Sequence, residues 1–535
     1  MGRGMGRGER AIGRVVCVSG SQIVAVLDGG DGPEEADGRL QKGAIVKVAM
    51  PDSAVLGVVS GLSVPVPSRD RAQPEVRLAE LDLLGEVRAE GERTRFRRGI
   101  SAYPALGDRV LAASGPDLAA ILHRPEAAAV AIGAMQQDPT RPVFVAPDDL
   151  LGKHFAVLGT TGSGKSCCVT LLLRGILDQH PNAHIVLLDP HNEYGAAFGE
   201  RAETLGPETL QLPYWLLSGA EIAKVVAGQA DNAQLAEAAA SLLAELIPLA
   251  KRAFRRDGGE GINLTVNTPV PYRLSDVDRM LDDAMGRLDR PEGLAPYRWL
   301  RARLAVLTAD PRYAFMFGGI AVQDNMARII SRIFRVPVAG RPITILDLSA
   351  VPSEILDIVA SVLLRMAFDL ALWSRGAQPV LVVCEEAHRY APADKGLGFE
   401  PTKEALARIA KEGRKYGLSL CMVSQRPSEL DIGILSQCNT VFAFRMTSLK
   451  DQEFVRGIVT DNAYGLLDFL PSLGDAEAIV AGQAVAVPMR VRLAELPPGA
   501  QPRSASASFS QAWRSESLDE AFIADVVQRW RAQAR

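Results

Sequence analysis

The sequence predicts an α/β chain. A phosphate-binding core on a parallel sheet is preceded by a small β-barrel, interrupted by a helical insertion and followed by a C-terminal helical extension. Three observations predict it. Residues 11 to about 115 hold short β-branched runs separated by Gly, Asp and Pro clusters, the spacing of a small barrel or sandwich. Past residue 145, strand and helix patterns alternate, the signature of a parallel sheet. At the head of that alternation stands Gly159-Thr160-Thr161-Gly162-Ser163-Gly164-Lys165-Ser166, between the apolar run Phe155–Leu158 and a helix-forming run that begins at Cys167.

Taken in order, Met1–Arg10 alternates Gly and Arg, which cannot bury surface. It is expected to be a disordered tail rather than a basic arm on nucleic acid. In the barrel, Arg14–Ser19, Gln22–Leu27, Ala44–Ala49 and Val55–Ser60 read as strands, with a turn at Asp28–Pro33 and a last strand after Gly107. A short linker to about residue 145 then delivers the chain to the core, expected to span 116–204 and 336–492. Ala183–Leu188 is its next strand. Residues 205–335 interrupt the alternation with Leu235–Ile247, a helix starting at Ser275 as its cap, and Tyr297–Leu304. This insertion reads either as a cap over the nucleotide domain or as a partner contact. The core resumes at Ile343–Leu348 with strands at Val380–Cys384, Leu418–Val423 and Thr440–Arg445 and helices near Ile355–Trp373 and Lys403–Tyr416. Residues 493–535 form a Pro/Ser/Ala-rich extension ending in the helix Leu518–Arg531.

Composition narrows the function classes. The 535 residues are 47% hydrophobic and 23% charged, a globular composition long enough for roughly three to four domains. A formal net charge of -4 excludes a globally basic nucleic-acid binder, so any such contact needs a local patch. The six cysteines form no CxxC pair and read as buried free thiols of a reducing compartment, which places the protein in the cytoplasm. The six histidines show no zinc spacing. No run of 18 apolar residues and no signal-peptide core is present, so no membrane helix is expected.

The glycine-rich stretch carries the chemistry. Its glycines let backbone N–H groups converge on phosphates, and the helix start adds its positive dipole end. Gly159, Thr160, Thr161, Gly162, Ser163, Gly164, Lys165, Ser166 and Cys167 are the expected nucleotide-binding residues. Lys165 would reach the β- and γ-phosphates and Ser166 would sit on Mg²⁺. The strand Val380–Cys384 ends in two carboxylates and is expected to lie beside the phosphate-loop strand. Glu385 would hold Mg²⁺, through water, and Glu386 would orient or deprotonate the attacking water. Gln425, at the end of another strand, suits a γ-phosphate sensor. Asp189 would contact the Mg²⁺ water shell or fix its own turn, and His191 beside it reads as a structural hydrogen-bonding residue or a base. Among Arg408, Lys411, Arg414 and Lys415, expected on one helix, Arg414 is the candidate for a finger reaching a neighbour's nucleotide, against a structural ion pair.

With these motifs in order, the sequence resembles the HerA family of hexameric ATPases, within the HerA/FtsK class of DNA pumps. The resemblance spans nearly the whole chain. It rests on Arg98-Gly99-Ile100 with Tyr103-Pro104, His154–Ser166, Asp189–Tyr194, Glu385–His388, Glu412–Lys415, Ser424–Pro427, Leu473-Gly474-Asp475 and Gly482. It implies a RecA-like core, ATP with Mg²⁺, a six-membered ring with nucleotide between subunits, and double-stranded DNA in a central pore. It also implies a partner docked at the barrel end: a NurA-type nuclease in DNA end resection, or a defence effector such as a sirtuin-like NAD-consuming enzyme or a nuclease. The loop Arg389–Gly398 is a candidate DNA grip, or an ordinary loop. The alternative is a ring that acts as an ATP-controlled scaffold for an effector, without processive movement.

Overall fold

The computed structural model describes residues 11–28, 40–51, 53–65, 75–90, 93–125, 128–228, 230, 232–255, 263–287, 291–318, 322–351, 353–394, 396–459, 463–503, 513–514 and 520–531. The expected tail Met1–Arg10, most of the turn Asp28–Pro33, Lys395 in the candidate DNA loop and most of the Pro/Ser/Ala-rich extension lie outside the described residues.

The first seven strands are β1 (Ala11–Ser19), β2 (Gln22–Leu27), β3 (Ile45–Ala49), β4 (Ala54–Ser63), β5 (Arg77–Glu90), β6 (Arg93–Arg98) and β7 (Arg109–Ala112). Their order is β2-β1-β7-β3-β4-β5-β6, and β2 also pairs with β5, so six strands close into a barrel with β6 on its outside. Closure removes the exposed edges that a sheet this short would present. Alternate residues point inward, and Val15, Ile23, Val46, Val55, Leu81 and Val110 form the barrel core. Each such side chain contributes about 1.5–3 kcal/mol by leaving water.

Eleven more strands follow: β8 (Val130–Met135), β9 (Pro142–Val145), β10 (His154–Leu158), β11 (Ile185–Asp189), β12 (Ala202–Leu205), β13 (Ile343–Asp347), β14 (Val380–Cys384), β15 (Leu418–Ser424), β16 (Cys438–Ala443), β17 (Glu477–Gly482) and β18 (Met489–Leu493). They divide between two compact units. The first holds Met1–Pro181, Glu386–Gly396 and Ala410–Pro498; the second holds Asn182–Glu385, Leu397–Ile409 and Gly499–Arg535.

In the first unit β10 runs parallel to β15 on one side and to β16 on the other. Antiparallel strands continue from β16 in the order β17-β18-β8-β9. Two expectations change here. The segment before residue 145 is no plain linker, because β8 and β9 form a hairpin that pairs with β18. The carboxylate-bearing β14 is not a neighbour of β10, whose two partners are β15 and β16. Chain order does not dictate strand order when crossover helices separate parallel strands. The barrel is seated on this unit by Arg98, which donates to the carbonyls of Ala486 (2.8 Å), Gly482 (2.5 Å) and Val485. Lys42 adds an ion pair to Asp468 at 2.8 Å.

The second unit carries the parallel strands β12-β13-β11-β14. Both faces of β11 and β14 are buried, as helix-covered parallel strands require. The insertion is helical: Gly219–Ala227, Ala233–Phe254, Leu274–Gly286 and Ala295–Ala309. Ser275 does not cap its helix; the helix starts at Leu274 with Arg273 at the cap. The clamp between insertion and core is Glu221, which is 1% exposed. It closes a capping box with Ser218 and accepts from Ser361 (2.8 Å) and from both Nε and Nη2 of Arg365 on the helix Ser353–Trp373. Buried Ala239, Leu243, Leu246, Ile247 and Ala250 give the helix Ala233–Phe254 one core face at helical spacing. By length and composition alone this helix could also cross a membrane, with 22% of its most apolar window buried.

All six cysteines are free; Cys17 is exposed and Cys167 half-buried, so those two depart from the expected burial. The closing helix Glu520–Arg531 buries none of its residues.

Candidate nucleotide-hydrolysis site

Strand β10 ends at Leu158, and the turn from Gly159 to Gly164 leads into the helix Lys165–Gln179. The turn needs its glycines. A Cβ on Gly159 would stand 2.5 Å from Phe444 Cβ, and Gly164 holds φ at +108°. No side chain caps the helix N-terminus, which leaves its first-turn N–H groups and dipole directed at the loop. Thr160 is the loop's anchor. Its N–H donates to Arg445 O at 2.9 Å, and its own carbonyl accepts from Ser163 Oγ (2.7 Å) and Lys165 Nζ (3.0 Å). Ser163 is fully buried. A cationic lysine folded over a helix start is an anion cradle.

A network of polar side chains adjoins it within the same unit. Gln425 follows β15 directly. Its amide oxygen accepts from the Thr161 hydroxyl, and its Nε2 donates to Glu386 Oε1 at 2.6 Å. Glu386 is a non-glycine residue at φ +51°, a strained conformation of the kind stored at functional sites. Its other oxygen lies 3.2 Å from His388 Nδ1, which also lies 3.2 Å from Ser424 Oγ. Burial holds the His388 pKa below its ordinary value, against the opposing pull of the Glu386 carboxylate. That direction favours the neutral imidazole, whose ring lies beside the carboxylate.

The other expected residues lie as follows. Asp189, at the end of β11 and fully buried, accepts from the N–H groups of His191 (3.3 Å) and Tyr194 (3.0 Å). This is the turn-fixing use; burial raises its pKa in spite of those N–H groups. In that same second unit Glu385 is 7% exposed and accepts from the Tyr194 hydroxyl. Arg414 and Lys415 stand in a 3₁₀ turn, Gly413–Tyr416, after the helix Glu400–Glu412 rather than on it, and Arg414 is exposed. Arg408 stacks 4.0 Å from the Phe368 ring centroid, which commits it to a structural contact.

A family model described as the central domain of helicase HerA matches residues 130–367, which include the phosphate loop and the insertion. The HerA DNA double-strand break repair helicase of Pyrococcus furiosus is 25% identical over 465 residues, 78% of this chain and 77% of that one. These matches support a HerA-family ATPase. The chain is an ATPase of the helicase type. Another HerA helicase of the same description, from Sulfolobus acidocaldarius, is 24% identical over 70% of this chain and 71% of its own. VirB4 of Thermoanaerobacter pseudethanolicus shares the fold, with a TM-score of 0.50, 14% identity, and coverage of 70% of this chain and 99% of that one.

In this chain three contacts of the candidate site escaped sequence reasoning. Tyr194 and His388 were visible only as motif letters, and Thr161 only as a loop residue. The partner of Tyr194 is 191 positions away and that of Thr161 is 264 away.

Proposed function

We propose that this protein is a ring-forming motor that hydrolyses ATP to move along double-stranded DNA and drives a partner nuclease or effector from the cytoplasm. The observation that carries the hydrolytic part is Gln425, which ties the phosphate loop at Thr161 to the carboxylate of Glu386. The repair-helicase descriptions of the relatives support the DNA part.

Lys165 binds the β- and γ-phosphates. Glu386 orients and deprotonates the attacking water, held in place by Gln425. Gln425 exchanges Thr161 for the γ-phosphate and so reports its presence. Arg414, exposed on its turn, reaches a neighbouring subunit's nucleotide. Among the described residues no cluster of three or more His, Cys, Asp or Glu is arranged to hold a metal. Mg²⁺ takes one or two protein oxygens and relies on substrate phosphates and water. Ser166, in the first turn of the loop helix, would supply such an oxygen, and Glu385 is proposed for its water shell from its place in the motif. Bound there, Mg²⁺ would neutralise charge developing on the phosphate oxygens.

The test is the Glu386→Gln variant. It should bind ATP like the wild type and lose turnover; normal turnover would remove Glu386 from its role.

A further inference from the structure

Two segments build the rim of the phosphate loop away from Gln425. Thr160 donates its N–H (2.9 Å) and its hydroxyl (3.0 Å) to the carbonyl of Arg445. Ala476 donates its N–H to Ser163 O at 3.2 Å. A Cβ on Gly164 would lie 3.2 Å from Ala476 Cα and 3.4 Å from the Phe444 ring. Ala476 itself holds φ at +56°, strain that keeps this segment pressed to the loop. From these two segments Arg445 and Asp475 meet in an ion pair at 2.9 Å, with side chains 36% and 77% exposed.

Topology says which part of a nucleotide lies there. β15 and β16 flank β10 on opposite sides. Gln425 follows β15 and binds Glu386, so the γ-phosphate end of a nucleotide on this loop points to the β15 flank. The α-phosphate and nucleoside must leave toward β16, and Arg445 is the second residue past the end of β16. A guanidinium pairs more strongly with phosphate, through two parallel hydrogen bonds, than with a solvent-exposed carboxylate.

We propose that Arg445 is a nucleotide-binding residue that takes the α-phosphate, and that Asp475 is its built-in competitor, displaced when nucleotide arrives. The inference rests on the reading of Gly159–Ser166 as an ATP site and extends it to the nucleoside side. Because the contact is to the α-phosphate, it acts on ATP and ADP alike. Asp475 lies two residues before β17 and directly before Ala476, so its release loosens the segment that holds Ala476 against the loop.

Calorimetric titration of wild type, Arg445→Gln and Asp475→Asn with MgATP and MgADP tests this. Arg445→Gln should weaken both nucleotides by about tenfold, with their ratio unchanged. Asp475→Asn should tighten both by about three- to tenfold, because the competing carboxylate is gone. A structural pair would instead lose affinity in both variants. Parallel weakening, or unchanged affinities beside a wild type that binds, overturns the proposal. A wild type that binds neither nucleotide overturns the ATP-site reading itself. Should thermal melting show that Arg445→Gln folds poorly, the sign of the Asp475→Asn change decides alone.

Discussion

Gln425 Nε2 donates to Glu386 Oε1 at 2.6 Å while its amide oxygen accepts from the Thr161 hydroxyl. One amide therefore touches both the loop that would hold the phosphates and the carboxylate that would work on water. An amide suits this place because its two ends have opposite polarity. The donor end can hold only an ionised or lone-pair-bearing partner, which keeps Glu386 aimed.

Glu386→Gln should keep ATP affinity and lower turnover by about 10²- to 10⁴-fold, the range of a lost general base. Gln425→Ala should lower turnover by a smaller factor and also erase any preference for ATP over ADP. Binding titrations and single-turnover hydrolysis on both variants check this. An ATP preference intact in Gln425→Ala would rule out the sensor role.

Arg414 is exposed in its 3₁₀ turn, whereas Arg408 is stacked on Phe368. If Arg414 completes a neighbour's site, Arg414→Ala should lose turnover by about 10³- to 10⁵-fold, as expected for an arginine finger, without losing ATP binding. Mixing Arg414→Ala with Lys165→Ala subunits should restore part of the activity, since some interfaces then hold an intact Lys165 and an intact Arg414. No recovery on mixing, with mixed rings verified, would place Arg414 in a structural role.

The Glu221–Arg365 pair holds the helical insertion to the helix Ser353–Trp373. Glu221 is almost fully buried, so Arg365→Ala leaves a carboxylate without its counter-charge. The expected loss is about 3–5 kcal/mol in the stability of that unit, from the cost of breaking a buried pair. Urea unfolding checks it. Glu221→Gln combined with Arg365→Met should recover much of the loss, and a double variant as weak as the single one would contradict the argument.

Lys251 is 1% exposed and donates to the carbonyls of Thr265 (3.2 Å), Val266 (2.7 Å) and Thr268 (2.6 Å). Burial pushes its pKa down from 10.5 to about 8. Below pH 8 the folded and unfolded chains both carry the proton. Between about 8 and 10.5 the unfolded chain keeps a proton the folded chain has released, so the contribution of this lysine to stability rises with pH. Urea midpoints for wild type and Lys251→Met should diverge from pH 8 to pH 10, in favour of the wild type. Parallel curves would show that Lys251 does not titrate in that window.

Much of this molecule is legible in its sequence, for identifiable reasons. The phosphate loop reads clearly because its glycines, lysine and serine fall at one spacing between an apolar strand and a helix. The barrel reads clearly because short β-branched runs recur between turn residues. Glu385 and Glu386 stand out as carboxylates ending an apolar strand. The hairpin β8–β9 stayed hidden because its two short strands sit among Gly, Gln and Pro residues and β8 joins the sheet through β18, more than 350 positions away. The place of β14 stayed hidden because strand order is set by crossover packing, not by succession. Tyr194 carries no local signal, because only folding brings Glu385 to it, whereas His388 stands two positions from Glu386 and what the fold adds beside it is Ser424.

In the proposed motor, hydrolysis at Gly159–Ser166 is coupled to DNA. The direct measurement is ATP turnover by the assembled wild-type protein with and without linear double-stranded DNA, alongside displacement of a third strand from the same duplex. Turnover should rise on DNA and the third strand should be displaced, both effects abolished in Glu386→Gln. Turnover indifferent to DNA, with no displacement at saturating ATP, would contradict it.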